Sequence, residues 1–266
     1  MKGRRVSIMF VVEVIFKYKK FDEAQVQEVI ECLLGSLRMN GQVLGREYPV
    51  AIVEESFHTY LLVPEENSLD KSRANVYALK WLSKLDDLDV EYSWKVVGSE
   101  PYSASVCKCT RPNFYILYTT YLSLESPMSC GDCFGSVPLY RIPATKDEEY
   151  VDIITWESDY KACDTLQMNC STGERFGVRQ LSSYESSLSK RGMDICNQIT
   201  ASTGIPTYYY LLKPTGIGSK AEKARKCPSC CGEWLLNEPL HGVFDFRCDK
   251  CMLLSNIAWS VRSKGR

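Results

Sequence analysis

Histidine is almost missing from this chain: 266 residues contain two, His58 and His241, far apart in sequence. That leaves no His-Glu-x-x-His helix and no His placed beside a nucleophile. A Gly-rich phosphate loop and a Gly-x-Ser-x-Gly elbow are also lacking. No run approaches the roughly eighteen uninterrupted apolar residues of a membrane-spanning helix. Met1-Lys2-Gly3-Arg4-Arg5 leads into a strand-like stretch, not into a signal h-region with a small-residue cleavage site. Together these absences predict a soluble cytoplasmic protein that makes no use of a membrane and does not catalyse a reaction.

Cysteine, by contrast, is plentiful, with thirteen residues. In a reducing compartment such usage points to metal rather than disulfides. Near the end of the chain stand Cys227-Pro228-Ser229-Cys230-Cys231-Gly232, then fifteen residues, then Cys248-Asp249-Lys250-Cys251. Two Cys-x-x-Cys turns around a short apolar segment suit a tetrahedral zinc site, because each turn offers two thiolates and the segment folds back as a hairpin. The expected ligands are Cys227, Cys230, Cys248 and Cys251. Cys231 stands where such a knuckle usually has Gly, so Cys230 and Cys231 compete for one ligand position. So short a hairpin has too little core to fold without its metal.

A second group lies in mid-chain: Cys107-Lys108-Cys109, twenty residues, then Cys130-Gly131-Asp132-Cys133. A second structural zinc site with ligands Cys107, Cys109, Cys130 and Cys133 is the expected reading, against a redox pair or plain buried thiols. Cys32, Cys163, Cys170 and Cys196 fall in apolar or helical contexts and read as small core residues. His241 sits in the turn Pro239-Leu240-His241-Gly242. Four cysteines already fill the terminal site, so a structural hydrogen bond is expected of His241 rather than ligation.

Periodicity sets the frame. Residues 5–16 read as a buried strand, and 22–38 as a helix through Val26, Val29, Ile30, Leu33, Leu34 and Leu37, capped by Asp22 and stopped by Asn40-Gly41. Strands over 43–54 and 57–63, a helix over 70–85 and a strand over 89–97 complete a β-α-β-β-α-β order. The chain as a whole reads as α+β. It comprises a ferredoxin-like domain over 1–100, a zinc-ribbon-like insert over 101–146, a helical segment with a closing strand over 147–212, and a basic linker with a C-terminal zinc ribbon over 213–266. The insert carries a strand over 113–122. Two helical stretches over 150–204 are divided by Ser171-Thr172-Gly173. In Thr207-Tyr208-Tyr209-Tyr210-Leu211-Leu212, alternation turns Tyr209 away from its neighbours, and core packing is favoured over base stacking.

The charge is divided. From Lys213 to Arg266 there are ten Lys/Arg against five Asp/Glu, whereas the whole chain has a formal net charge of −1. The cluster Lys220, Lys223, Arg225 and Lys226, with Arg262, Lys264 and Arg266, could neutralise phosphates. The acidic remainder suits a basic protein partner.

Two longer stretches carry a resemblance. Cys130-Gly131-Asp132-Cys133-Phe134-Gly135-Ser136-Val137-Pro138-Leu139-Tyr140-Arg141 is the first, and Glu233 to Cys251, including Trp234, Asn237-Glu238-Pro239 and Val243-Phe244-Asp245-Phe246-Arg247, is the second. They resemble a bacterial family described as Zn-ribbon-containing proteins, with a suggested nucleic-acid-binding role and otherwise of unknown function. The resemblance covers most of the chain, and implies that Cys227, Cys230, Cys248 and Cys251 are ribbon ligands. The acidic body and the missing catalytic motifs make protein recognition the first expectation, as an inhibitor or immunity-type protein for a basic toxin or as an adaptor for translation or transcription machinery. The alternatives are nucleic-acid binding through the terminal ribbon and, third, thiol redox chemistry at the Cys-x-x-Cys pairs.

Overall fold

A computed structural model describes residues 8–19, 23–145 and 148–262. The chain divides into two compact units, one comprising Met1–Lys108, Ser123–Ser126 and Gly135–Val151, the other Cys109–Leu122, Pro127–Phe134 and Asp152–Arg266. Both α-helices and β-sheets are present, as the α+β expectation requires.

In the first unit, strand β1 (Phe10–Lys17) alternates strictly, with Val12, Val14 and Phe16 buried. It lies between β3 (Ser56–Val63) and β4 (Glu91–Ser99), antiparallel to both, and β2 (Val50–Val53) pairs with β3. The sheet order is β2-β3-β1-β4. Helix α1 (Glu23–Met39) buries Val26, Val29, Ile30, Leu33, Leu34 and Leu37, the stripe that 3.6-residue periodicity demands. Gly41 ends it in the left-handed region at φ 68, its N–H donating to Arg38 O. A Cβ there would sit 2.6 Å from Leu139 Cβ, so glycine is fixed by space as well as by φ. The expected cap Asp22 lies outside the described residues. Helix α2 (Val76–Asp87) starts later than the expected residue 70, because the Asn75 side chain caps it by accepting from Ala78 N–H; Lys71–Arg73 form a separate 3-10 turn. The strand expected over 43–54 shrinks to β2, since Gly45 at φ 90 turns the chain after a single bridge between Leu44 and Leu62.

The helices α1 and α2 share one core with Val12, Val14, Phe16, Phe57, Leu61 and Val63 on one face of this sheet. The opposite face carries Glu13, which accepts from Tyr60 Oη at 3.0 Å and pairs with Lys95 at 2.6 Å, while Ser56 Oγ lies 2.9 Å from His58 Nε2. These contacts hold the Glu13 carboxyl below the usual carboxylate range, the Lys95 hydrogen bond contributing most.

The second unit is built on a six-stranded sheet of order β6-β5-β7-β10-β9-β8. Its strands are β5 (Tyr115–Leu117), β6 (Met128–Cys130), β7 (Thr207–Leu211), β8 (Leu235–Leu240), β9 (Phe244–Cys248) and β10 (Leu253–Ser255). The hairpins expected to form a mid-chain ribbon and a C-terminal ribbon are thus two wings of one sheet, joined through β7, which runs parallel to both β5 and β10. All five residues of β7 are buried. Tyr209 packs edge-on to Trp156 and donates its hydroxyl to Ser189 Oγ at 3.3 Å, whereas Tyr208 meets Phe114 and Tyr210 meets Tyr118 and Phe244. The alternation read from the sequence is realised.

Three helices, not two, lie within 150–204: α3 (Val151–Asn169), α4 (Glu174–Ser182) and α5 (Ser187–Thr203). The division at Ser171-Thr172-Gly173 is present, but Ser186 opens a further helix by accepting from Ser189 N–H. Helix α4 escapes a periodicity search because it buries only Gly177 and Leu181 and leaves Phe176 exposed. Its close approach to α3 depends on Gly177, where a Cβ would lie 2.4 Å from Cys163 O.

Two further expectations are corrected. Cys170 is exposed, not a core thiol, because it occupies the left-handed turn at the end of α3 with φ 50. Residues 213–225 are not a flexible linker. Lys213 N–H donates to Asn256 Oδ1 and Asn256 Nδ2 donates to Lys213 O, Gly216 N–H donates to Ser260 Oγ, and the short helix α6 (Ser219–Lys223) buries Glu222, which accepts from Ala258 N–H. The segment ahead of Trp259–Arg262 (α7) and the supposed linker therefore hold each other in place.

Candidate metal centres

The terminal cluster lies where three short elements meet. Cys227 and Cys230 flank a turn before β8, Cys248 ends β9, and Cys251 lies in the turn before β10. Their Sγ atoms lie within 4.8 Å of one another. Cys230 and Cys248 Sγ are 3.6 Å apart. That is far longer than a disulfide, about 2.05 Å. It is close to the edge of a tetrahedron with metal–sulfur distances of about 2.3 Å, which is about 3.8 Å. The donor set is all thiolate, as a soft tetrahedral metal prefers.

The local backbone decides between Cys230 and Cys231. Cys231 N–H donates to Cys227 O at 2.9 Å and Cys227 N–H to Gly232 O at 3.0 Å, closing a knuckle in which Cys231 takes φ 58 and points its thiol to solvent. Cys230 joins the cluster. The N–H of Gly232, with the thiols of Cys251 and Cys248, draws Cys230 down to about 7, while burial pushes Cys248 up to about 12. A non-glycine residue in the left-handed region costs about 1 kcal/mol. Cys231→Gly should therefore keep the full metal content and raise stability by up to about 1 kcal/mol, read from metal analysis and a urea titration. Metal loss in this variant would place Cys231 among the ligands.

The mid-chain cluster brings together Cys107, Cys109, Cys130 and Cys133, again within 4.8 Å. Cys130 ends β6, and its partner across the ladder is Tyr115. Gly131 is required by space: a Cβ would lie 2.3 Å from the Phe114 ring. Phe134, directly after Cys133, takes φ 58, and Met252, directly after Cys251, takes φ 49, so the left-handed step after the second cysteine recurs in three knuckles. Cys107 N–H donates to Ser136 O, and Arg141 Nη1 donates to Cys107 O at 2.7 Å while its guanidinium pairs with Glu65. Asp132 accepts from both the backbone and side-chain N–H groups of Asn113.

His241 makes the structural bond expected of it. A carbonyl can only accept, so His241 Nε2–H donates to Gly131 O, at 2.7 Å. The imidazole also stacks on Phe134, with centroids 4.9 Å apart and planes 7° from parallel. An aromatic cluster of Tyr118, Phe134, Tyr210 and Phe244 continues from this contact.

The comparisons with known proteins agree on kinship and are silent on activity. An uncharacterized protein of Haemophilus influenzae is 33% identical over 260 residues, covering 95% of this chain and 99% of that protein. The chain belongs to its family. A further uncharacterized Haemophilus influenzae protein in the family is 38% identical over 167 residues, 63% of this chain and 82% of its own length. Three family models, each described as a domain of unknown function, match residues 9–98 (DUF8589), 109–212 (DUF2310) and 216–261 (DUF8594). Family membership thus supplies no reaction and no ligand, and the two four-cysteine clusters are the chemistry on which a reading must rest.

The basic residues expected to face a nucleic acid do not act as one set. Arg225 is turned inward: its guanidinium lies 4.4 Å from the Phe246 ring centroid and 5.1 Å from that of Trp234, and Nη2 donates to Ser255 Oγ and Asn256 O. Burial lowers the basicity of this guanidinium, against the pull of Glu222. Lys226 pairs with Glu233. Lys220 and Lys223 are exposed on α6. The side chain of Arg262, and Lys264, lie outside the described residues. Sequence reasoning also missed Arg247, held over Phe114 and Tyr208 at 4.6 and 4.7 Å and bonded to Asp249 and Tyr208 Oη. An Arg two residues before a knuckle, or one residue before it, is the signal that could have marked both as packing groups. Among the described residues, no helix is long and apolar enough to cross a membrane.

Proposed function

We propose that the protein acts without catalysis by recognising another protein, and that zinc in both four-cysteine clusters is a structural element of the folded form. The observation that carries this reading is the fate of the basic set. Arg225 is spent on Trp234 and Phe246 and Lys226 on Glu233, so the terminal ribbon offers few of the clustered cations that phosphate binding uses. Cys107, Cys109, Cys130 and Cys133 would hold one zinc ion, and Cys227, Cys230, Cys248 and Cys251 the other. When bound, the ion supplies a cross-link between turns and neutralises part of the thiolate charge. Four protein ligands leave no open position for a substrate, which supports a structural role over a catalytic one.

The first unit offers a surface for the partner. The antiparallel order β2-β3-β1-β4, with α1 and α2 as crossovers, supports reading it as ferredoxin-like, with one sheet face left uncovered by these helices. On that face Tyr60 is exposed, Val11, Ile15 and Leu62 are half-buried, and Glu13 and Lys95 pair among them. Aromatic and aliphatic surface laced with ion pairs is the composition of a protein interface. An inhibitor of a basic toxin or an adaptor of translation or transcription machinery would be a concrete form. Thirteen thiols without a disulfide favour a reducing, cytoplasmic setting.

The test is purification of the tagged protein from its own cells, with and without nuclease. A specific protein should stay bound after nuclease, and Tyr60→Ala with Val53→Lys should lower its retention at least about tenfold, whereas Lys220→Glu with Lys223→Glu should not. Loss of all bound material after nuclease, with binding that falls steeply as salt rises, would replace this reading with nucleic-acid recognition.

A further inference from the structure

We infer that His241 is a positioning residue that couples the two clusters, so that metal at the terminal cluster tightens the hold on metal at the mid-chain one. The inference rests on reading both clusters as metal sites. His241 occupies the tip of the β8–β9 turn, where it and Gly242 take φ 52 and 71 in succession. From there it grips the other knuckle at two points. Its Nε2–H bonds Gly131 O, which lies between Cys130 and Cys133, and its ring lies flat on Phe134, the residue after Cys133.

The gripped knuckle has little freedom to adjust. Gly131 N–H donates to Phe114 O at 2.8 Å, Phe134 N–H donates to Cys130 O at 2.9 Å, and the Phe114 ring fills the space beside Gly131. At the gripping end, the turn is placed by β9, which runs from buried Phe244 into Cys248. The β8–β9 ladder is irregular, with register between Leu235 and Phe246 and again between Leu240 and Phe244. β9 is also paired with β10 at Phe246, Arg247 and Cys248, so its position is set at the same end that carries the Cys248 thiol. Releasing Cys248 would loosen β9, withdraw His241 and Phe244 from Phe134, and leave the Cys130–Cys133 knuckle less well organised for a thiolate–metal bond. Groups that orient ligands from behind are worth about 10- to 100-fold in metal affinity.

The experiment loads the full chain with zinc alone, counts bound metal, and follows its release to a chromogenic chelator. Cadmium-113 NMR of the cadmium-loaded chain assigns which cluster is losing metal. The wild type should bind two ions. His241→Phe keeps a ring on Phe134 and removes the donor; it should still bind two ions and release the mid-chain one about 10-fold faster, and His241→Gln, which restores an N–H donor, should recover part of the difference. In Cys248→Ser the mid-chain ion should also leave about 10-fold faster, and adding His241→Phe should change that rate little further, because the grip is already lost. Two ions bound with mid-chain release unaltered by His241→Phe, or effects of the two substitutions that simply multiply, would overturn the coupling while leaving the metal sites standing. Fewer than two ions in the wild type would overturn the metal reading and the coupling with it.

Discussion

Cys248→Ser should bind one metal ion per chain instead of two, and should open the β8–β9 hairpin while leaving β1 to β4 protected. Structural zinc binds zinc-finger peptides with about 10–16 kcal/mol of apparent free energy, all of it coupled to folding there, and three thiolates hold the ion far less well than four. β10 is anchored on β7, but β8 meets only β9, through two register pairs, so the outer hairpin is the part of the sheet that depends most on that cross-link. Elemental analysis reports the stoichiometry. Hydrogen exchange should show protection lost over 235–248 and retained over 10–17 and 56–63. Two ions in the variant would mean that the ligand set is wrong, and loss of protection in β1 and β3 would mean that the terminal cluster stabilises far more than its own wing.

Gly192→Ala should be the most damaging change away from the cysteines. Its Cβ would lie 2.2 Å from Tyr209 Cε2 and 2.8 Å from Trp156 Nε1, and neither ring has anywhere to go. Tyr209 and Trp156 are both fully buried, and Trp156 Nε1 donates to Leu188 O. Alanine normally gains about 1 kcal/mol over glycine inside a helix. Overpacking of this kind costs about 3 kcal/mol, so the balance is unfavourable. The thermal midpoint of the second unit should fall by about 4–8 °C, followed by near-ultraviolet circular dichroism of these two rings. An unchanged or raised midpoint would show that α5 can move off β7 without loss.

The elements easiest to read from the sequence are those whose own side chains repeat with a clear period. The stripe Val26 to Leu37 gives α1, the alternation Val12, Val14, Phe16 gives β1, and the run Thr207 to Leu211 gives β7 with Tyr209 opposed to its neighbours. The cysteine pairs are legible for the same reason, since metal ligands keep their spacing whatever surrounds them. What stays hidden depends on partners distant in sequence. Nothing near β5 announces that its neighbour is β7, and nothing near β7 announces β10, so two wings of one sheet read as two separate ribbons. Residues 213–225 carry the Pro, Gly, Ser and Lys of a linker, but Asn256, Ser260 and Ala258 supply hydrogen-bond partners that no local pattern contains. Charge likewise says where an Arg stands in the chain and not which way it turns; Arg225 turned inward because Trp234 and Phe246 offered two ring faces. The choice between Cys230 and Cys231 required a dihedral angle, since one residue separates a thiol inside the four-cysteine cluster from an exposed one.

The parallel placement of β7 between β5 and β10 also has a consequence for how the chain is made. Leu253 follows Leu211 by 42 residues. At about 5–20 residues per second, a ribosome takes about 2–8 s to deliver the strand that covers the second edge of β7. Over that interval the newborn chain presents Tyr208-Tyr209-Tyr210-Leu211 with one side of its backbone unpaired, a ready template for another growing chain. Metal bound by Cys227, Cys230, Cys248 and Cys251 would lock β9 and β10 against β7 and close this exposure, so starvation for the ion should first be felt as aggregation of fresh protein rather than as decay of the old.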